Sequence, residues 1–135
     1  MYVAGNGTAK DYKEAFKCYR NAAEQGNVSA KAELGVLYSH GCGVEQNDHE
    51  AIKWFLIAAE AGDTYAAFNL ARHYTLGEGV EQNDIQAYKW LSISAREGHE
   101  QPQEIKQRLE EEMTPIQVAE AQELARKWLE KWKKI

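Results

Sequence analysis

Cysteine and proline are both scarce in this chain, two of each among 135 residues. Two cysteines are too few for a disulfide scaffold. Cys18 falls in a helical stretch and Cys42 lies between two glycines, no C-x-x-C spacing occurs, and nothing in their placement favours a pairing. So little proline, beside abundant Ala, Glu, Gln and Lys, predicts an all-helical protein. Positive charge is also in short supply: sixteen Lys and Arg against twenty-one Asp and Glu give a net charge of −5. That balance argues against a protein whose main task is to neutralise nucleic-acid phosphates or coat an anionic membrane. The longest apolar stretches, such as residues 54–59, fall far short of the roughly 20 residues that a spanning helix needs. Neither a basic nor an apolar leader segment opens the chain. The expectation is therefore a cytoplasmic protein if Met1 is the native start, and a periplasmic or secreted one if the sequence is a mature or excised fragment. Hydrophobic residues at 44% and charged residues at 27% are ordinary for a globular domain and argue against disorder.

What the chain has is an internal repeat. Shifted by 36 residues, positions 30–65 fall on 66–101 with sixteen of thirty-six identical, where chance would give about two or three. The longest shared run is G-V-E-Q-N-D, at 43–48 and 79–84. Around it match Leu34/Leu70, Tyr38/Tyr74, Gly41/Gly77, Ala51/Ala87, Lys53/Lys89, Trp54/Trp90 and Gly62/Gly98. A weaker copy lies upstream, with Gly5, Gly7, Ala15, Lys17, Ala22, Ala23, Glu24 and Gly26 each 36 residues before its counterpart.

Each unit reads as two helices. The second carries Ala51, Trp54, Phe55, Ala58 and Ala59 at i, i+3, i+4, i+7 and i+8, an amphipathic stripe. Its start is marked by capping-box pairs, Asp11 with Glu14, Asn47 with Glu50 and Asn83 with Gln86. Its end is marked by Gly26, Gly62 and Gly98, suited to the left-handed position after a helix. The first helix is predicted over 28–39 and 64–75, with Ala30, Leu34, Leu37 and Tyr38 on one face. Small residues at Gly35 and Ala71 allow a neighbouring helix to come close. Such a pair cannot bury its stripe alone and must stack on its neighbours.

The pattern A-x-x-x-L-G-x-x-Y-x-x-G-x-G-V, followed by an Asp/Asn-capped A-x-x-W-x-x-x-A-A-x-x-G, resembles the Sel-one-like repeat (SLR) family, a branch of the tetratricopeptide-like α-solenoids. In the central repeat the match rests on Ala30, Leu34, Gly35, Tyr38, Gly41, Gly43, Val44, Ala51, Trp54, Ala58, Ala59 and Gly62. The next repeat departs at Ala71 and Ser94, both small. The resemblance covers roughly residues 2–100 and implies an all-α fold, a right-handed α-solenoid of antiparallel helix pairs that serves as a scaffold for protein–protein contacts. The expected organisation is a single solenoid domain over 1–135: a truncated first repeat 1–27, repeats 28–63 and 64–99, and irregular C-terminal helices over 100–135.

Both ends are irregular. The first repeat lacks nearly all of its first helix, so a helix over 11–24 is expected to leave Ala15, Cys18, Tyr19 and Ala22 without the usual cover. Either the chain is cut from a longer solenoid or another chain fills that face, as in a weak dimer. After Gly98, residues 102–112 read as a further helix with Ile105, Leu109 and Met113 apolar. Thr114, Pro115 and Gln117 then mark a new start: threonine cap, proline first, glutamine three residues on. The last helix carries Ile116, Ala121, Leu124, Ala125, Trp128 and Trp132 in a stripe able to close the stack, and resembles the terminal helix of SLR proteins. Arg126, Lys127, Lys131, Lys133 and Lys134 read as a solvated outer face whose charge suits a helix C-terminus.

Signals for chemistry are weak. The pairs Gly41/Gly43 and Gly77/Gly79 lack the third glycine, the preceding strand and the G-K-[ST] of a phosphate loop. A metal would have to use His40, Cys42, His49 and His73, which show no matched ligand spacing. Some SLR relatives bind or hydrolyse β-lactams, but the S-x-x-K of a serine enzyme of that class is absent. No grouping of nucleophile, base and orienting residue stands out. The expectation is a non-catalytic module without cofactor or metal.

If first helices line the inner face, as the resemblance implies, the residues not used for packing point into the groove. These are Ser29, Ala32, Glu33, Val36, Ser39 and His40 in one repeat, and Tyr65, Phe68, Asn69, Arg72 and Thr75 in the next. The two sets differ while the packing positions match, as a heterogeneous ligand surface would. Tyr65, Phe68 and Arg72 follow at i, i+3 and i+7, and aromatics with arginine make good interface anchors. The expected partner is a protein or peptide held there; the alternative is assembly through the uncovered N-terminal helix.

Overall fold

The computed structural model describes residues 9–97 and 100–133, and among these every regular element is a helix. In order they are α1 (Ala9–Glu24), α2 (Val28–His40), α3 (Asp48–Glu60), α4 (Thr64–Leu76), α5 (Asp84–Ser94) with a 3₁₀ turn at Ala95–Glu97, α6 (Glu100–Glu112) and α7 (Pro115–Lys133). The starts of α2 and α4, and of α3 and α5, are 36 residues apart, so the sequence period is the structural one.

The punctuation follows from local chemistry. Asn47 and Asn83 sit in extended backbone, and their side chains accept from the amides of Glu50 and Gln86, 3.1 Å each. Asn27 and Asp63 do the same for Ala30 and Ala66. These bonds satisfy amides that no helical carbonyl can reach. Gly26 and Gly62 close the preceding helices at φ 95° and 98°, a region open to glycine at little cost. Gly98 lies outside the described residues. The second-helix start expected at Asp11 is the exception. α1 begins at Ala9, which places Asp11 within the first turn, where its carboxylate complements the helix dipole.

The chain divides into two compact units, residues 1–66 and 67–135. In the first, α2 packs against both α1 and α3. Ala23, Ala30 and Leu34 form a buried centre, with Phe16, Tyr19, Ala22 and Trp54 packed on it. Gly35 is where α3 comes closest: a Cβ there would stand 2.6 Å from Phe55 Cε1. The loop after α2 approaches α1 as tightly, since a Cβ on Gly43 would collide with the carbonyl of Tyr12. In the stripe of α3, Ala51, Ala58 and Ala59 are at 0% exposure and Phe55 at 1%, with Trp54 half-buried. On α1, Ala23 is buried like its counterpart Ala59, but Ala15, Tyr19 and Ala22 are only half-buried where Ala51, Phe55 and Ala58 are sealed, and Cys18 is exposed.

In the second unit α5 packs against α6 and α7. Tyr88, Trp90, Leu91 and Ile93 of α5 are buried, together with Leu109, Met113, Ala121 and Ala125. Trp90 meets Trp128 edge-on, and Trp128 stacks on Trp132 with the rings 9° from parallel. The guanidinium of Arg96 lies 4.3 Å from the Trp132 ring centre. α7 starts as its residues dictate: the Thr114 amide donates to Gln117 Oε1 (3.0 Å), and the Gln117 amide donates to Thr114 Oγ1 (3.2 Å), a closed capping box. Ile116, expected in the closing stripe, is instead 80% exposed. It is in the first turn of α7, five residues ahead of the buried Ala121, and so begins the helix before the packed stripe does.

Candidate functional site

The residues expected to face a groove behave differently in the two units. On α2, Ser29 and His40 are exposed, and Glu33 and Ser39 half-buried. Ala32 and Val36 are at 1% and 3% exposure and present nothing to a ligand. α2 is apolar round most of its circumference, with Ala30, Ala32, Leu34, Gly35, Val36 and Leu37 all buried. A helix of that kind is core on more than one side. Burial pushes the Glu33 carboxyl above the ordinary glutamate range, and the nearby charge of Asp63 adds to the shift.

On α4 the picture is more favourable. Asn69 is buried at 7% and drops out of the groove set, whereas Tyr65 is exposed at 48%. Phe68, Arg72 and Thr75 line a cleft of about 240 Å³ within the second unit. The cleft also takes in Ala71 and Leu76 of α4, Leu91 of α5, and Ile105 and Arg108 of α6. Ala71 and Leu91, each at 1% exposure, seal its base, and the apolar surface it offers comes from the half-buried Phe68 and Ile105 and the exposed Leu76. The Thr75 hydroxyl donates to the Ala71 carbonyl (2.9 Å), which leaves its oxygen as an acceptor only. Both charged residues of the lining are arginines.

Leu91, Ile105 and Arg108 were not among the sequence candidates, because they come from other helices. A signal for one of them was present. Arg108 is 36 residues after Arg72, and α6 begins 36 residues after α4. The two arginines therefore occupy the same register position on successive first helices.

Elsewhere, the polar groups are engaged in structure. His73 is buried at 3% and donates from Nδ1 to the Glu78 carbonyl (2.9 Å); His40 Nδ1 donates to the Val36 carbonyl (3.0 Å). Both rings thus finish the ends of first helices. Among the described residues no group of three or more His, Cys, Asp or Glu is placed to hold a metal ion. Tyr88 donates to Glu110 Oε1 (2.5 Å) and accepts from Gln122 (3.4 Å), tying α5 to α6 and α7; burial, then the bond to Glu110, raise its phenol. A wider, shallower hollow of about 420 Å³ adjoins these groups, lined by Glu110, Met113, Pro115, Val118, Ala119 and Gln122. On the outer face of α7, Arg126 is held by Glu123 and by Glu130 (2.6 Å), which raises its already high basicity and fits a solvated helix surface.

Comparison with known proteins fits this architecture. No curated protein matches the sequence. Among solved structures, a protective antigen of uropathogenic Escherichia coli displaying an SLR fold superposes with a TM-score of 0.89 at 29% identity, over 94% of this chain and 27% of the antigen. A Sel1 repeat protein from Oxalobacter formigenes gives a TM-score of 0.70 at 36% identity, over 75% of this chain and 42% of that one. The match thus spans less than half of either of those chains. The sequence profile of the Sel1 repeat matches residues 1–27, 28–63, 64–99 and 118–134, so α1 to α5 and the terminal helix α7 are all accounted for by one repeat. With most of its length matched in this way, and its helices superposing on SLR-fold structures, the chain is an all-α repeat solenoid that belongs to the Sel1 repeat family.

Proposed function

We propose that this protein is a non-catalytic interaction module that holds a segment of a partner protein on the face of its first helices, with the α4–α5–α6 cleft as the main contact. Sel1 repeats serve in general as scaffolds for protein contacts, and repeat solenoids present binding surfaces of this kind. The observation that carries the assignment to this face is the cleft itself. Phe68, Arg72 and Thr75, chosen for failing to follow the packing pattern, come together there with apolar residues of two further helices. An apolar floor with a few polar groups at its edge is the usual form of a contact that is both adhesive and selective.

The test is partner capture. Proteins co-purifying with the wild-type chain should be lost from the double variant Phe68→Ala/Arg72→Ala, with the circular dichroism spectrum unchanged. They should be retained by Arg126→Ala, on the outer face of α7. Retention by the double variant would refute the assignment.

A second reading rests on the half-buried Ala15, Tyr19 and Ala22 of α1, whose counterparts on α3 are sealed. Pairing of two copies through that face predicts a solution mass that rises with concentration. A constant mass near 15.3 kDa removes it.

A further inference from the structure

The cleft is small for a free metabolite. Pockets for small molecules run to roughly 300–1,000 Å³, and about 240 Å³ suits one or two side chains of a polypeptide. Its chemistry is uneven in a telling way. The protein carries a net charge of −5, yet the cleft lining holds two guanidinium groups and no carboxylate. Arg72 and Arg108 are both exposed, and among the described residues neither is engaged in an ion pair. Arg126, by contrast, is held by two carboxylates and carries no free charge to a ligand.

The placement of the two is also not random. They stand at the same register position of α4 and α6, one repeat period apart, so the cations come from different helices on the cleft. Phe68 and Ile105 provide apolar surface above the sealed Ala71 and Leu91, and Leu76 adds an exposed apolar rim at 61% exposure. A planar guanidinium fork is matched to a carboxylate, with which it makes two parallel hydrogen bonds. The net charge of the rest of the chain is negative, so apart from the lysines at the end of α7 this site is where an acidic ligand meets cations over apolar surface.

We infer that the cleft receives an acidic linear segment of a partner protein, seating one apolar side chain against Phe68, Leu76 and Ile105 while internal Asp or Glu side chains on either side of it pair with Arg72 and Arg108. This rests on the interaction reading above and adds to it the chemistry of the partner. The cations then do two things: they accelerate encounter and they set the position of the anchor.

The probe is a fluorescein-labelled, C-terminally amidated nonapeptide with one leucine between two pairs of glutamates, titrated against the full chain by fluorescence anisotropy. Binding is expected to weaken about tenfold in each of Arg72→Gln and Arg108→Gln, in keeping with the worth of a hydrogen bond to a charged group at an exposed site. A glutamine version of the peptide should lose at least as much, and added salt should weaken the native pair. Arg72→Lys and Arg108→Lys should recover part of the loss, which a folding defect would not allow. The inference is overturned if the glutamine peptide binds equally well, if neither arginine variant changes the affinity, or if no binding is seen up to about 1 mM. Tight binding seen only for a peptide with a free C-terminal carboxylate also overturns it, in favour of a terminal clamp. Partner capture separates the two levels. Loss in Phe68→Ala with full retention in the arginine variants leaves the interaction module standing and removes the acidic segment; retention in all of them removes both.

Discussion

Gly35 is the residue on which the first unit turns. A methyl group there would stand 2.6 Å from Phe55 Cε1, and the ring, at 1% exposure, has nowhere to swing. Gly35→Ala should therefore destabilise the fold by about 1–3 kcal/mol through overpacking, despite a gain in helix propensity. Urea unfolding would measure it, and Phe55→Leu in the same chain should return part of the loss. Glu33, one turn away from the capped start of α2, acts in the opposite sense. Its folded pKa is raised above the unfolded value by burial, so the folded state gains from protonation below the ordinary glutamate range, and that gain is lost as the pH rises through the folded pKa. At neutral pH the charged form burdens the fold. Glu33→Gln should raise the melting temperature at pH 7, and the difference should vanish as the pH falls below about 4.3, where both side chains are neutral. A constant difference at all pH values would point to a packing effect instead.

At the scale of the element, the helix ends carry the most predictable energies. The box joining Thr114 and Gln117 satisfies two amides reciprocally. Thr114→Ala should cost about 1 kcal/mol in chemical denaturation, the usual value of a lost cap. These ends were also the most legible features of the sequence. Asn47, Asn83, Thr114, Gly26 and Gly62 act through neighbours three or four residues away, so their chemistry can be read without knowledge of the fold. α1 shows the boundary of that approach: Asp11 has the right spacing to Glu14, but the helix continues past it to Ala9. The groove was read less completely, for a reason of the same kind. Phe68, Arg72 and Thr75 share one helix and one face, whereas Leu91, Ile105 and Arg108 join them only through packing between helices. Helical spacing puts Ala32 and Val36 in the groove because it assigns one face of α2 to the core, whereas the apolar residues of α2 run round the helix. Asn69 belongs with them, a polar residue buried at 7% that helical spacing alone put on the surface.

At the scale of the molecule, a period of 36 residues divides the labour between positions. Those that shape the loops recur with their geometry, as Gly41 and Gly77 do at φ 67° and 70°. The non-packing positions of the first helices vary more: Arg72 and Arg108 match each other, but their counterpart on α2 is Val36. α7 breaks the period, yet supplies Trp128 and Trp132 beside Trp90. Three of the four tryptophans therefore lie together in residues 67–135, and Trp54 stands by itself in the first unit, beside the ammonium of Lys53. Spectroscopically the halves of the chain are already labelled differently. With Trp54→Phe, all remaining indole emission comes from the second unit, and the stacked Trp128–Trp132 pair should give that unit a coupled signal in the ultraviolet dichroism that the first cannot produce.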